Sequence, residues 1–367
     1  MRARIRRRYD DKYGITVHLP ADPMELYDML DRIGTDNGHS NVYINIEEEF
    51  IPRIMREGGF YDDIFKLNLL AVRVGELPPA DMAGFMAVLC NHEEYNLDDV
   101  ILVTYGLDAY PVYPCKSYAE LGEIVIDNEM ITEVENCPDE LIDYLSIEYI
   151  GKLAAERFKG VFVDGYYCET ADFTLPDMKI TIRKPERNRF QLLLGTDEKT
   201  AQWYTLPCRN DLSDLNIYDI RSPLPNIKRA EDITKLNEVA EKIAGLDFDE
   251  LVKLKAVMES NDYIGAGGAL KALSELNRYE LDREVRSDTG YGMEYLRRQL
   301  PSGFDTGVLN SEYLNTVGSR ILDRKGAALT SYGIVSGIGQ ELYSALNVSD
   351  EEAENEEENE KQEAELS

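Results

Sequence analysis

The sequence predicts an α+β protein: a chain of small subdomains, small antiparallel sheets plus helical subdomains, set out as two similar modules in tandem. Three observations predict it. Short alternating runs such as Asn41–Ile46 stand beside stretches whose apolar residues recur every three or four positions. Helix starts are marked at Asp22-Pro23, Pro79, Asn96 and Ser117. Finally, KLNLLAVRVGEL at 66–77 returns as KLNEVAEKIAGL at 235–246, the mark of an internal duplication.

In chain order, MRARIRRRYDD at 1–11 carries five arginines in its first eight residues. It reads as a basic arm over residues 1–12. It lacks the apolar core of a signal peptide, and no apolar run of membrane-spanning length follows, so a cytoplasmic protein is expected. Gly14–Leu19 reads as a strand, Asp22–Ile33 as a helix with Met24, Tyr27, Leu30 and Ile33 on one side, and Asn41–Ile46 as a second strand. Residues 47–65 carry no clear pattern. From Lys66 the pattern is helical: a first helix stopped by Leu77-Pro78-Pro79, a second from Pro79, a third capped by Asn96 with Asp98 and Asp99 in its first turn, and a fourth capped by Ser117. Pro138–Phe158 reads as one longer helix with Leu141, Leu145, Tyr149 and Leu153 in line.

The offset of 169 between the two KLN segments holds through Leu107/Leu276 and Tyr110/Tyr279. Farther on, SIEYIGKL at 146–153 is matched to NSEYLNTV at 310–317, and GITVHLP at 14–20 to MKITIRKP at 178–185. The predicted modules are residues 13–172 and 173–348, and 349–367 is an acidic tail expected to be disordered. In the second module Phe190–Leu194 and Trp203–Leu206 read as strands.

Charge separates the modules. The chain has a net charge of −31, which argues against direct nucleic-acid binding and against anionic membranes and favours basic partners. From Val74 to Gly151 there are 17 acids and one basic residue, Lys116. Residues 173–348 are nearly neutral, with Arg278, Arg283, Arg286, Arg297 and Arg298 where the first copy is acidic. Part of the acidity is helix-end chemistry, as at Asp98, Asp99, Asp139, Glu140 and Asp143. That does not account for the near absence of Lys and Arg, because ordinary helices interleave both signs. A duplex carries one phosphate charge per ~1.7 Å of axis, so a net −16 equals roughly 27 Å of DNA.

Motifs for chemistry are absent. His92-Glu93-Glu94 is not HExxH, there is no P-loop or GxSxG, and the five cysteines show neither CxxC spacing nor a disulfide framework. The expectation is a protein without catalytic residues, metal or cofactor. Several tyrosines flank acids, among them Tyr95, Tyr105, Tyr118, Tyr144 and Tyr149. Most would pack in cores, and a few would rim an interface.

FKLNLLAVRV (65–74), DDVILVTYGLDAYPVYP (98–114), YAELGEIVID (118–127), CPDELIDYLSIEYIGKLAAE (137–156) and FVDGYYC (162–168) together resemble the ArdA antirestriction proteins in their Firmicutes form. A weaker second copy covers about 178–338, where LTSYGIV at 329–335 echoes FVDGYYC. The resemblance implies an elongated α+β protein that mimics DNA without catalysis, binds type I restriction–modification enzymes and blocks their DNA site. By position it places the mimic surface on Glu93, Glu94, Asp98, Asp99, Asp108, Glu120, Glu123, Asp127, Glu129, Glu133, Glu135, Asp139, Glu140, Asp143 and Glu148. It places a module or dimer contact on Leu145, Tyr149 and Leu153, in a homodimer or an intramolecular pseudo-dimer. The competing expectation is an acidic interaction or regulatory protein of a mobile element that does not mimic DNA.

Overall fold

The computed structural model describes residues 1–7, 13–35, 40–47, 51, 55–56, 58–92, 94–170, 172–209, 212, 214–227, 232–301 and 304–337. The acidic tail lies outside them. The chain divides into two compact units, Met1–Leu26 with Gly38–Lys184, and Tyr27–Asn37 with Pro185–Ser367.

The first unit begins with a four-stranded antiparallel sheet. Its strands are β1 (Arg2–Arg6), β2 (Gly14–His18), β3 (Asn41–Ile46) and β4 (Phe60–Asp63), in the order β2-β1-β3-β4. Arg2–Arg6, within the expected basic arm, therefore form a central strand, and residues 8–12 of that arm lie outside the described residues. Ala3 and Ile5 point into the core while Arg2 and Arg4 face solvent. That is the period of two of a half-buried strand, hidden in the sequence by the number of arginines. β4 comes from the stretch that showed no pattern. Helix α1 (Pro23–Ile33) forms where expected, with the Asp22 carboxylate accepting from the Met24 amide at 2.8 Å.

Three helices follow, and each start has a chemical cause. α2 (Ile64–Glu76) is capped by the Asp63 side chain. α3 (Pro79–Asn91) opens on proline, whose fixed φ suits a first turn. α4 (Leu97–Val103) has a full capping box between Asn96 and Asp99. After the short strand β5 (Val112–Tyr113) come α5 (Tyr118–Asp127), α6 (Thr132–Glu135), α7 (Asp139–Ile142) and α8 (Ile147–Phe158), then β6 (Val161–Val163) and β7 (Tyr166–Cys168). The single helix expected over 138–158 is two helices with a break at 143–146. Its apparent apolar line does not mark a buried face: Leu141 and Tyr149 are exposed, while Ile150, Gly151 and Ala154 face inward.

The second unit repeats this plan. Its first sheet, β8 (Phe190–Gly195), β9 (Gln202–Leu206) and β10 (Asn216–Arg221), has the order β10-β8-β9, the same as β3-β1-β2. Then follow α9 (Ile233–Ile243), α10 (Phe248–Ser260), α11 (Gly265–Glu275), β11 (Tyr279–Asp282), α12 (Asp288–Gln299), α13 (Ser311–Arg324), β12 (Ala328–Thr330) and β13 (Gly333–Gly337). An offset of 169 carries α3 onto α10 and the 3-10 turn Leu107–Ala109 onto Leu276–Arg278. The small sheets match too, β5-β7-β6 against β11-β13-β12.

Geometry also shows what the KLN segments do. The Asn68 amide donates to the Ala21 carbonyl at 3.0 Å and accepts from the Ala21 N–H at 2.8 Å. Asn237 accepts from the Cys208 N–H at 2.9 Å. Ala21 and Cys208 each follow the Leu-Pro pair that ends β2 or β9. So each unit uses its asparagine to tie the first helix after the sheet to the strand exit. This corrects the expected pairing of 14–20 with 178–185: the counterpart of β2 is β9, and 178–185 form no strand.

A second correction concerns the later part of the repeat. α5 and α8 cross at Gly122 and Gly151, where an added Cβ would fall 2.0 Å from the Ile147 carbonyl oxygen and 1.7 Å from that of Tyr118. α12 and α13 cross in the same way at Gly292 and Gly318, with 2.1 Å to the Leu314 oxygen and 1.9 Å to that of Asp288. Gly151 therefore corresponds to Gly318, three residues past the match of 146–153 with 310–317. Side-chain identities misled there because the backbone crossing, not the side chains, sets the register.

In the second unit the α10 side chain Lys255 is fully buried. It forms ion pairs with Asp31 at 2.7 Å and Asp28 at 3.3 Å. The Tyr332 hydroxyl donates to Asp28 at 2.6 Å, Arg32 pairs with Asp28 at 2.7 Å, and Arg187 pairs with Asp31. Burial pushes Asp28 up, but Lys255 and Arg32 outweigh it and hold the carboxyl below its usual value. Burial pulls the Lys255 ammonium down to about 8, against the attraction of Asp28.

Candidate protein-interaction face

The helical part of the first unit concentrates negative charge on its outside. Between Ser117 and Gly151 there are ten acids and no lysine or arginine. α5 shows how the chain builds this. Leu121, Gly122 and Val125 face the core. Glu120, Glu123 and Asp127, at i, i+3 and i+7, share the opposite side and are exposed. At 1.5 Å per residue these three charges are ~5 Å apart along the axis. One DNA strand carries a phosphate per ~3.4 Å, so a single helix row is roughly two-thirds as dense.

The remaining acids follow from the short helices. Glu129 sits just past α5 with φ 51°, Glu133 and Glu135 lie on α6, Asp139 and Glu140 in the first turn of α7, Asp143 at its end, and Glu148 in the first turn of α8. All are exposed. The first turns suit carboxylates because the unpaired backbone N–H groups point there. Brief helices thus supply many first turns, and hence many acids, in few residues.

Few of these carboxylates are neutralised within the chain. Glu133 pairs with Arg157, whose hydrogen bond holds it below its usual value. Glu148 pairs with Lys152 at 2.6 Å and is lowered in the same way. The Glu120 carboxylate accepts from the Lys116 backbone N–H at 2.8 Å. Among the described residues, Glu123, Asp127, Glu129, Glu135, Asp139, Glu140 and Asp143 form no ion pair.

The other expected site residues lie apart from this run in sequence. Asp98 is half-buried and pairs with Lys66 at 2.7 Å, and Asp99 is spent in the capping box. These two serve α4 first, so they contribute less free charge than position alone implies. Glu94 is exposed. Asp108 is exposed at the edge of an open cleft of about 300 Å³ shared with Arg73, Glu76, Asp81 and Thr104. Glu93 lies outside the described residues. Of the expected contact residues, Leu145 and Leu153 pack into the first unit's own core around Leu121, Val125 and Ile150. Only Tyr149 of the three is exposed.

The second unit carries the same scaffold with a different coat. Its α12–α13 segment, residues 287–324, holds five acids and four arginines, Arg297, Arg298, Arg320 and Arg324, against eleven acids and two bases, Lys152 and Arg157, over the corresponding residues 117–158. The charge of the first unit is therefore not a requirement of the fold. No protein-family model matches the chain, and searches of curated proteins and of solved structures return no match. Among the described residues, no helix is long and apolar enough to cross a membrane.

Proposed function

We propose that this chain is a non-catalytic, DNA-mimicking antirestriction protein. Its first unit presents the exposed carboxylates of α5–α8 to a protein that binds DNA, with a type I restriction–modification enzyme as the leading partner and another DNA-binding defence complex as the wider class. One observation carries the reading: a 35-residue stretch without a lysine or arginine exposes its ten acids, and the same scaffold in the second unit does not. The second unit acts in this reading as a near-neutral platform.

The test is direct binding to a type I enzyme over a salt series, with Glu120→Gln, Glu123→Gln and Asp127→Asn combined in one variant. These side chains are exposed, and glutamine at 120 keeps an oxygen to accept from the Lys116 N–H, so the variant is expected to keep the wild-type fold. Affinity of the wild type is expected to fall steeply with salt, and the variant to bind more weakly with a shallower slope. A variant that binds as the wild type does at every salt concentration overturns the reading.

A further inference from the structure

Two stretches of sequence build the second unit: Pro185 onward, and Tyr27–Asn37, which carries most of α1. The second copy makes no such helix itself. In the first copy residues 19–40, 22 in all, join β2 to β3 and include α1. In the second, residues 207–215, nine in all, join β9 to β10, and none of the described residues among them is helical. The α1 segment is held by matched chemistry. Asp28 and Asp31 stand three residues apart, on one side of the helix, and both are buried. A buried carboxylate is costly unless charged partners meet it, and here Lys255, Arg187 and the Tyr332 hydroxyl do so. The end of the helix is held too. Arg283 donates to the Thr35 carbonyl at 3.1 Å and Arg286 to the Arg32 carbonyl, where cations suit the helix dipole.

Arg32 donates to the Ser331 hydroxyl at 3.3 Å, and Glu259 fixes Ser331 by accepting from its N–H at 2.7 Å and its hydroxyl at 2.9 Å. The scaffold does not require these groups. The offset of 169 that carries α3 onto α10 sets Lys255 on Met86 and Glu259 on Cys90. Met86 is half-buried and Cys90 exposed. The same two turns of the same helix thus carry a charged cradle in the second copy and no charge in the first. We infer that the second unit is a receptor for an acidic helix, occupied in this chain by the α1 segment of the first copy, and that this contact makes the two copies inseparable. The inference is independent of the proposed function, because the partner it names is a segment of the chain itself.

A protease site inserted between Lys179 and Ile180, where the chain is irregular and Lys179 exposed, lets the folded full-length protein be cut between the copies. Residues 27–37 then belong to the N-terminal piece and the rest of the second unit to the C-terminal piece. The cut wild type is expected to sediment with the mass of the uncut chain, both pieces together. Asp31→Asn leaves Lys255 and Arg187 short of a buried carboxylate, and Lys255→Met leaves Asp28 and Asp31 short of a buried cation. Each is expected to raise the dissociation constant of the two pieces by roughly a hundredfold or more. The two changes lie in different pieces, so misfolding of one piece does not account for both. Lys184→Ala is the control. Lys184 lies beyond the cut and pairs with Asp63, so it too links the pieces, but its loss is expected to leave them joined. Separation of the cut wild type on dilution as ready as that of the Asp31→Asn pieces overturns the inference. So do Asp31→Asn and Lys255→Met pieces that hold together as tightly as the wild type, or a Lys184→Ala protein that separates as far as they do.

Discussion

Gly151→Ala is the sharpest probe of the helix pair that carries the acidic face. The new methyl group would sit 1.7 Å from the Tyr118 carbonyl oxygen and 2.9 Å from the Gly122 nitrogen, both backbone atoms. A carbon–oxygen contact normally needs about 3.3 Å, so α8 must withdraw from α5 by about 1.5 Å. Leu121, Val125, Ile150 and Ala154 meet along this contact, and a gap of that size removes much of their dispersion attraction. Overpacking of this kind costs about 3 kcal/mol. The better helix propensity of alanine offsets about 1 kcal/mol, which leaves a net loss of about 2 kcal/mol. For a unit of this size the melting transition should fall by about 4–8 °C. Gly75→Ala is the control, because its methyl group meets nothing within 4 Å, and it should raise stability by up to about 1 kcal/mol. Calorimetry reads both. A Gly151→Ala protein that melts with the wild type, or above it, refutes the close crossing.

Three further outcomes follow from the fold. Asn68→Ala and Asn237→Ala should each lose about 1 kcal/mol per hydrogen bond removed, Asn68→Ala the more because both its bonds, at 2.8 and 3.0 Å, hold Ala21, whereas the second bond of Asn237 is a long, exposed one to Glu241 at 3.4 Å, as urea midpoints would show. Lys255 has a folded value pulled down to about 8. Its folded form therefore binds fewer protons than the unfolded chain between that pH and the ordinary lysine value, and stability from this group should rise with pH across that window. Urea midpoints at pH 7.5 and 9.5, compared between wild type and Lys255→Met, isolate it: the wild type should gain relative to the variant, and no relative gain contradicts the assignment. Alkylation should label exposed Cys90 well before buried Cys115 and Cys168, the last held up to about 11 by burial; equal labelling rates would show that the β5–β7 region is open.

Much of the architecture was legible because local chemistry and tertiary structure agree. Asn96, Ser117 and Pro79 mark helix starts by satisfying or removing backbone donors, and the alternation of Asn41–Ile46 matches a half-buried strand. The misreadings have one physical cause: the deciding contact was distant in sequence. Arg2–Arg6 is a strand because β2 and β3 flank it, not because of its composition. The leucines at 141, 145 and 153 resemble one helix face until the Gly122–Gly151 crossing decides which residues point inward. Nothing local in the sequence marks Lys255, which is buried against Asp28 and Asp31, more than two hundred residues away in sequence. At the candidate face the acids could be read directly from the missing lysines and arginines. The rings of Tyr144 and Tyr149 could not: that they are exposed is a property of the fold.

The central claim is that the carboxylates of α5–α8 occupy the place of DNA on a partner. Displacement of a labelled duplex from a type I restriction–modification enzyme by this chain measures it most directly. The account predicts mutual exclusion: rising concentrations of the chain release the duplex, and excess duplex releases the chain. A stable ternary complex of enzyme, duplex and chain would contradict it.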